Sequence, residues 1–309
     1  MGEVLLPSAL TARPFTVREA HAAGLRTHQL RAAPVHTPTW GVRCLEEPDG
    51  LPARAAAFAR GLPADIAYSH VTAARLWRLP LPSHLETEGA DLDVIRPSSK
   101  ERIRRRGCRG HRGLERRELV VLAGLRVVGL ADTWVDLGEV VPHPLGVDDL
   151  VVAGDAAARG LDMRALAEAT GSAWGTAPSS GSGVALLTAA LDARVSPRGK
   201  ARLVQALPLV RAGSRSPMET RSRLMFHRAG FPEPELNAVV RDAHGGWLLE
   251  GDLVWRKQRV VGEYQGSDHA SIRRRSADSS RVTGAEAEGY RVLEIYAEDV
   301  YGERGAGLA

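Results

Sequence analysis

Two apolar runs near the end of the chain, Trp247–Trp255 and Arg259–Gly262, are separated only by Arg256, Lys257 and Gln258. A connection that short predicts an antiparallel hairpin. With its turn at Trp255 to Gln258, facing residues lie about 5 Å apart, and Asp252 and Glu263 come within reach of each other. Two carboxylates held in this way suit a hard divalent cation, Mg2+ (or Mn2+), which takes oxygen ligands and keeps several waters. Such an ion lowers the pKa of a bound water and stabilises charge on a scissile phosphate. The competing reading of the same pair is two solvated acids on neighbouring strands.

The sequence around this hairpin is ordered. Ser216-Pro217-Met218-Glu219 has the marks of a helix start, with Ser216 as cap, Pro217 in the first helical position and Glu219 three residues after the cap. That helix is expected to run to Gly230, with a strand over Pro234–Val240 after it. Glu219 would be a third acid. After the hairpin come Glu263-Tyr264-Gln265-Gly266, His269, the run Arg273-Arg274-Arg275, then Asp278 and Arg281, and a last strand in Gly289–Ile295.

The remainder reads as a mixed α/β chain. At 309 residues, 44% hydrophobic and 25% charged, it can bury a sizeable core, which excludes a disordered tail, and the length predicts two domains or one large one. Cys44 and Cys108 have no CxxC partner, so a disulfide framework and a cysteine zinc site are excluded. No apolar run approaches the eighteen or so residues of a membrane span, and a cytoplasmic protein with no membrane partner is expected.

Thr16 to Arg31 predicts two short helices around Gly24, with Thr16 and Glu19 forming a capping box. A short strand or wing over Val35–Val42 would complete a winged-helix-like segment, residues 1–50. Helices are expected over Pro52–Arg60 and Ser69–Arg78, strands over Asp93–Ile95, Leu119–Leu122 and Leu125–Val128, and helical spacing from Ala131 to Leu137 and Val147 to Ala158. The net charge of +4 hides one strong local excess: from Arg96 to Arg117 ten cationic residues, Arg104, Arg105 and Arg106 among them, oppose Glu101 and Glu115. That stretch is either a phosphate-binding surface or a solvated loop between strands. The Gly- and Ser-rich stretch Gly171–Gly183 predicts a flexible loop. A border is expected near Gly213, between an α/β region over 51–212 with a helical C-terminal part and a last domain over 213–309.

Asp252, then Glu263-Tyr264-Gln265 after a hydrophobic strand, resembles the core of the PD-(D/E)XK nucleases, with Glu219 in the place of the acid on their first helix. Ser216 to Val300 is similar to the very-short-patch-repair-like (Vsr-like) endonuclease-fold domains of actinobacteria, with His269, Asp278, Arg281 and the last strand in matching order. Thr16–Val42 and Ser69–Leu76 are similar, less specifically, to the winged-helix AbiEi-type antitoxin proteins.

The resemblance implies an α/β (α+β) fold whose last domain has a central mixed sheet flanked by helices. It implies a Mg2+-dependent endonuclease acting on DNA in repair or defence. Asp252 and Glu263 would hold the metal, Glu219 would assist, and Gln265, standing where lysine is usual, would orient water. His269 would act as a general base near neutral pH. Arg273, Arg274, Arg275 and Arg281 would hold phosphates, and Lys257 or Arg281 would supply the missing cation. Gln265 also admits a non-enzymatic reading, a DNA-binding regulator or an antitoxin-like protein with a toxin or other protein as partner.

Overall fold

The capping box at Thr16 is present: the Glu19 amide donates to Thr16 Oγ1 at 3.1 Å and the Thr16 amide donates to Glu19 Oε2 at 2.7 Å. Two helix-start N–H groups are thereby satisfied. Thr16→Ala should cost about 1 kcal/mol, measurable as a lowered urea midpoint. Helices α1 (Ser8–Thr11), α2 (Val17–Ala22) and α3 (Thr27–Ala32) close with the ribbon of β1 (Phe15–Thr16) and β2 (Val42–Arg43) on a core of Leu10, Phe15, Ala20, Leu25 and Leu30. The strand expected over Val35–Val42 is shorter and later, because Pro38 withdraws an amide from the run.

The computed structural model of the chain describes residues 6–32, 34–141, 143–170, 182–195, 197–266 and 283–302. The chain divides into two compact units, Met1–Pro144 with Ala190–Arg198, and Leu145–Ala189 with Gly199–Ala309. Among the described residues no helix is long and apolar enough to cross a membrane.

In the first unit, α4 (Gly50–Gly61), α5 (His70–Leu76) and α6 (Leu130–Leu137) accompany a six-stranded mixed sheet ordered β5-β6-β4-β3-β8-β7. Its strands are β3 (Ala67–Tyr68), β4 (Leu92–Arg96), β5 (Arg104–Arg105), β6 (Cys108–Arg112), β7 (Leu119–Leu122) and β8 (Leu125–Val128). The arginine-rich stretch is therefore not one loop. β6 runs parallel to β4, and β5 folds back on β6. Two glycines permit this: Gly107 turns at φ +80° against Phe58, and a Cβ at Gly110 would lie 2.3 Å from the Ile103 carbonyl oxygen.

The second unit contains α7 (Val147–Thr170), the start of α8 (Ser182–Asp192), α9 (Lys200–Ala206) and α10 (Pro217–Arg228). Its sheet is ordered β12-β11-β10-β9, from β9 (Glu235–Arg241), β10 (Trp247–Trp255), β11 (Val260–Tyr264) and β12 (Arg291–Ile295). The first three strands pair antiparallel and β12 joins β11 in parallel. A border near Gly213 is not where the chain divides. Asp155 of α7 is buried against α10, accepting from Arg223 Nη2 at 2.9 Å and Thr220 Oγ1 at 2.8 Å, so α7 belongs to the same unit as α10. Of the Gly- and Ser-rich stretch, residues 171–181 lie outside the described residues, while Ser182 and Gly183 open α8.

Candidate functional site

In the hairpin, Leu253 faces Gly262, Val254 faces Val261 and Trp255 faces Val260, which leaves Asp252 and Glu263 just beyond the last paired residues. The turn occupies residues 256–259, one later than expected at each end, and the register is the one anticipated. On one side, Glu263 pairs with Glu294 of β12. On the other, Gly251 faces Ala238 and Leu253 faces Leu236, which sets Asn237 opposite Asp252. Facing residues share one side of a sheet, so Glu263 and Glu294 lie on the same side; Asn237, beside Asp252 on the neighbouring strand, sits at φ 47°, in the left-handed region.

Asp252 is half-buried, and its Oδ2 accepts the Tyr264 amide at 2.8 Å. Burial pushes its carboxyl above the usual range; the Tyr264 amide opposes the shift, Glu219 and Glu250 add to it, and Arg215 opposes it. Glu219 is buried just inside the helix start, where its amide donates to Ser216 Oγ at 3.1 Å. Its Oε2 accepts the Arg215 amide at 2.8 Å and Asn237 Nδ2 at 2.7 Å. Arg215 in turn reaches Glu250, Nη2 to Oε1 at 2.7 Å. The cation brought into this field is thus Arg215, which no sequence motif singles out. Lys257 sits in the hairpin turn, well along the strands from the Asp252–Glu263 pair. Gln265 is half-buried, its amide donating to the Ile295 carbonyl at 2.8 Å. His269, Arg273, Arg274, Arg275, Asp278 and Arg281 lie outside the described residues.

The donor set fits Mg2+ in kind. All the side-chain ligands on offer are hard oxygens, and Mg2+ is usually held by one or two carboxylates with its waters retained. Asp252 keeps Oδ1 clear of the Tyr264 bond. Among the described residues no three His, Cys, Asp or Glu side chains group where they could hold a metal ion.

A second buried polar cluster, unmarked in the sequence, lies in the first unit. His70 begins α5 at φ 48°, in the left-handed region that costs a β-carbon residue energy. Its ring stacks on His111 with centroids 3.6 Å apart, and His111 Nε2 lies 2.8 Å from Asp93 Oδ1. Asp136, fully buried, accepts from Arg117 Nη2 at 2.7 Å and Arg194 Nη2 at 2.8 Å. Burial lowers the His111 pKa, with Asp93 opposing and His70 adding. The neutral ring is then favoured in the folded state, so proton uptake favours unfolding. Stability of this unit should fall as pH drops from about 7 to about 5, and His111→Gln should flatten that dependence in urea titrations.

Of the predicted nucleic-acid contacts, Arg104 and Arg106 are exposed and Arg105 is half-buried, at the β5–β6 turn. No family model, no curated protein and no solved structure matches the chain.

Proposed function

We propose that the chain is a metal-dependent DNA endonuclease of the PD-(D/E)XK kind, with its catalytic centre on the C-terminal sheet and a winged-helix-like N-terminal segment that contacts DNA. The observation that carries this reading is the position of Asp252 and Glu263 on adjacent strands, just beyond the last paired residues of the hairpin, with the buried Glu219 close enough to raise the Asp252 pKa. Asp252 and Glu263 would hold one divalent cation, which when bound supplies an acidified water and charge neutralisation at the phosphate. Gln265 would orient the attacking water through its side-chain amide. Arg215 would hold a non-bridging phosphate oxygen, taking the electrostatic part that a lysine plays in the resembling nucleases. Glu219 would act as a positioning residue, since its Oε2 fixes both the Arg215 backbone and Asn237. His269 as general base, and Arg273, Arg274, Arg275 and Arg281 as phosphate contacts, belong to the same proposal on the sequence alone.

Two outcomes are expected for catalysis. Arg215→Ala should lower the cleavage rate about a hundredfold, the scale of removing one charge-stabilising donor, without abolishing metal binding. Because the Asp252 carboxyl is raised, it protonates at a higher pH than an ordinary aspartate. At limiting metal, protons should therefore compete for Asp252 and weaken metal-supported cleavage at a pH where a normal Asp, with a pKa of about 3.9, would still be ionised; a pH–rate profile at limiting Mn2+ checks this.

A second reading, a DNA-binding regulator without catalysis, is favoured by the commitment of Glu219 to structural hydrogen bonds and by Gln265 in the lysine position. Purified full-length protein incubated with Mg2+ or Mn2+ and supercoiled, linear and single-stranded DNA separates the two. Cleavage that chelator stops supports the endonuclease. Strongly salt-dependent binding with no cleavage under any metal supports the regulator.

A further inference from the structure

We propose that a concavity of the first unit, between the Trp40 turn and the Arg104–Arg105 strand, binds single-stranded nucleic acid, with arginines on its phosphates and the Trp40 indole stacked on a base. The concavity has a volume of about 700 Å³, and Arg18, Trp40, Arg102, Arg104 and Arg105 line it, with Glu101 as its acid. Two more lining arginines are already neutralised, Arg60 by Glu19 and Arg96 by Asp65. Arg18, Arg102 and Arg104 are exposed and form no ion pair among the described residues. Arg105, half-buried, lines the concavity beside them. Phosphate oxygens are the acceptors that the planar fork of a guanidinium matches best.

Trp40 supplies the other half of the argument. It is 82% exposed, yet its turn is fixed: Gly41 sits at φ +77°, the Val42 amide donates to the Thr39 carbonyl at 3.1 Å and the Val17 amide to the Gly41 carbonyl at 2.9 Å. An exposed indole on a hydrogen-bonded turn, beside these cations, is a stacking platform for an unpaired base. A duplex offers no free base face to such a ring, whereas a single strand does, and this selects the single strand. Phosphates and base faces are common to DNA and RNA, so the test carries both.

Full-length protein in EDTA, titrated against labelled oligo-dT, oligo-U and a hairpin duplex of about twelve nucleotides, reads the proposal by fluorescence anisotropy. One or both single strands should bind more tightly than the duplex. Trp40→Ala should weaken that binding about tenfold, with Trp40→Phe retaining most of it. Arg102→Gln, Arg104→Gln and Arg105→Gln should each reduce the salt dependence. A duplex bound as tightly as the single strands, or Trp40→Ala binding like the parent, overturns the proposal. Because the readout is binding without metal, that failure leaves the cleavage reading untouched.

Discussion

Asp252→Asn should abolish metal-dependent cleavage, by about a thousandfold or more, and at the same time make the protein harder to unfold. The first effect comes from removing one of two carboxylates that would hold the ion; loss of a charge-stabilising element in an active site is worth about 10²–10³ in rate, and loss of the ion itself removes the acidified water as well. The second comes from electrostatics. The Asp252 carboxyl is raised by burial, with Glu219 and Glu250 adding to the shift. An acid whose folded pKa lies above its unfolded value loses stability as pH rises through that range, so at neutral pH its charge opposes folding. Asparagine removes the charge and keeps an oxygen for the Tyr264 amide, which donates to Oδ2 at 2.8 Å. A thermal melt at pH 7 should therefore move upward in the variant that loses activity, the usual exchange between stability and function at an active site. A downward move would mark Asp252 as a structural residue.

Asp136→Asn should cost the first unit about 3–5 kcal/mol, the scale of breaking a buried ion pair by removing one partner. Asp136 is fully buried between Arg117 and Arg194, whose side chains are themselves only 4% and 7% exposed. Burial alone would raise its pKa, but His70, Arg117 and Arg194 hold it below the usual value. The amide would leave two guanidinium groups without their shared charge. Contrast Arg256 and Glu235, paired at 2.7 Å but 42% and 52% exposed: Glu235→Gln should cost less than about 1 kcal/mol, because solvent screens that pair. Urea unfolding of both variants reads the difference. Equal small costs would show that the Asp136 cluster is relaxed by water or by a shifted arginine.

What was legible in the sequence was local. The hairpin register is set by the short turn and the apolar runs beside it, and with the turn shifted by one residue Leu253 faces Gly262, with Asp252 and Glu263 just beyond them. Helix α10 is marked by Ser216 and Pro217, whose chemistry is satisfied within four residues. The arginine strands β5 and β6 were hidden, because Arg104–Arg105 and Cys108–Arg112 carry no apolar alternation and owe their extended form to pairing with each other and with Leu92–Arg96. The His70–His111–Asp136 cluster was hidden for a related reason: parallel neighbours and α6 bring it together from well-separated stretches, and no local spacing records that. Arg215 looked like a residue before a cap, and only the fold of Glu219 onto its amide carries it toward Asp252. The border near Gly213 failed because Asp155, distant in sequence, is buried against α10.

On the proposed reading, Asp252 and Glu263 together hold one divalent cation for phosphodiester hydrolysis. Calorimetric titration of Mn2+ into the full chain tests it most directly. One site per chain should appear in the parent protein and vanish in both Asp252→Asn and Glu263→Gln, with folding retained in each. Binding that persists unchanged in either variant, or no binding in the parent, would contradict the claim.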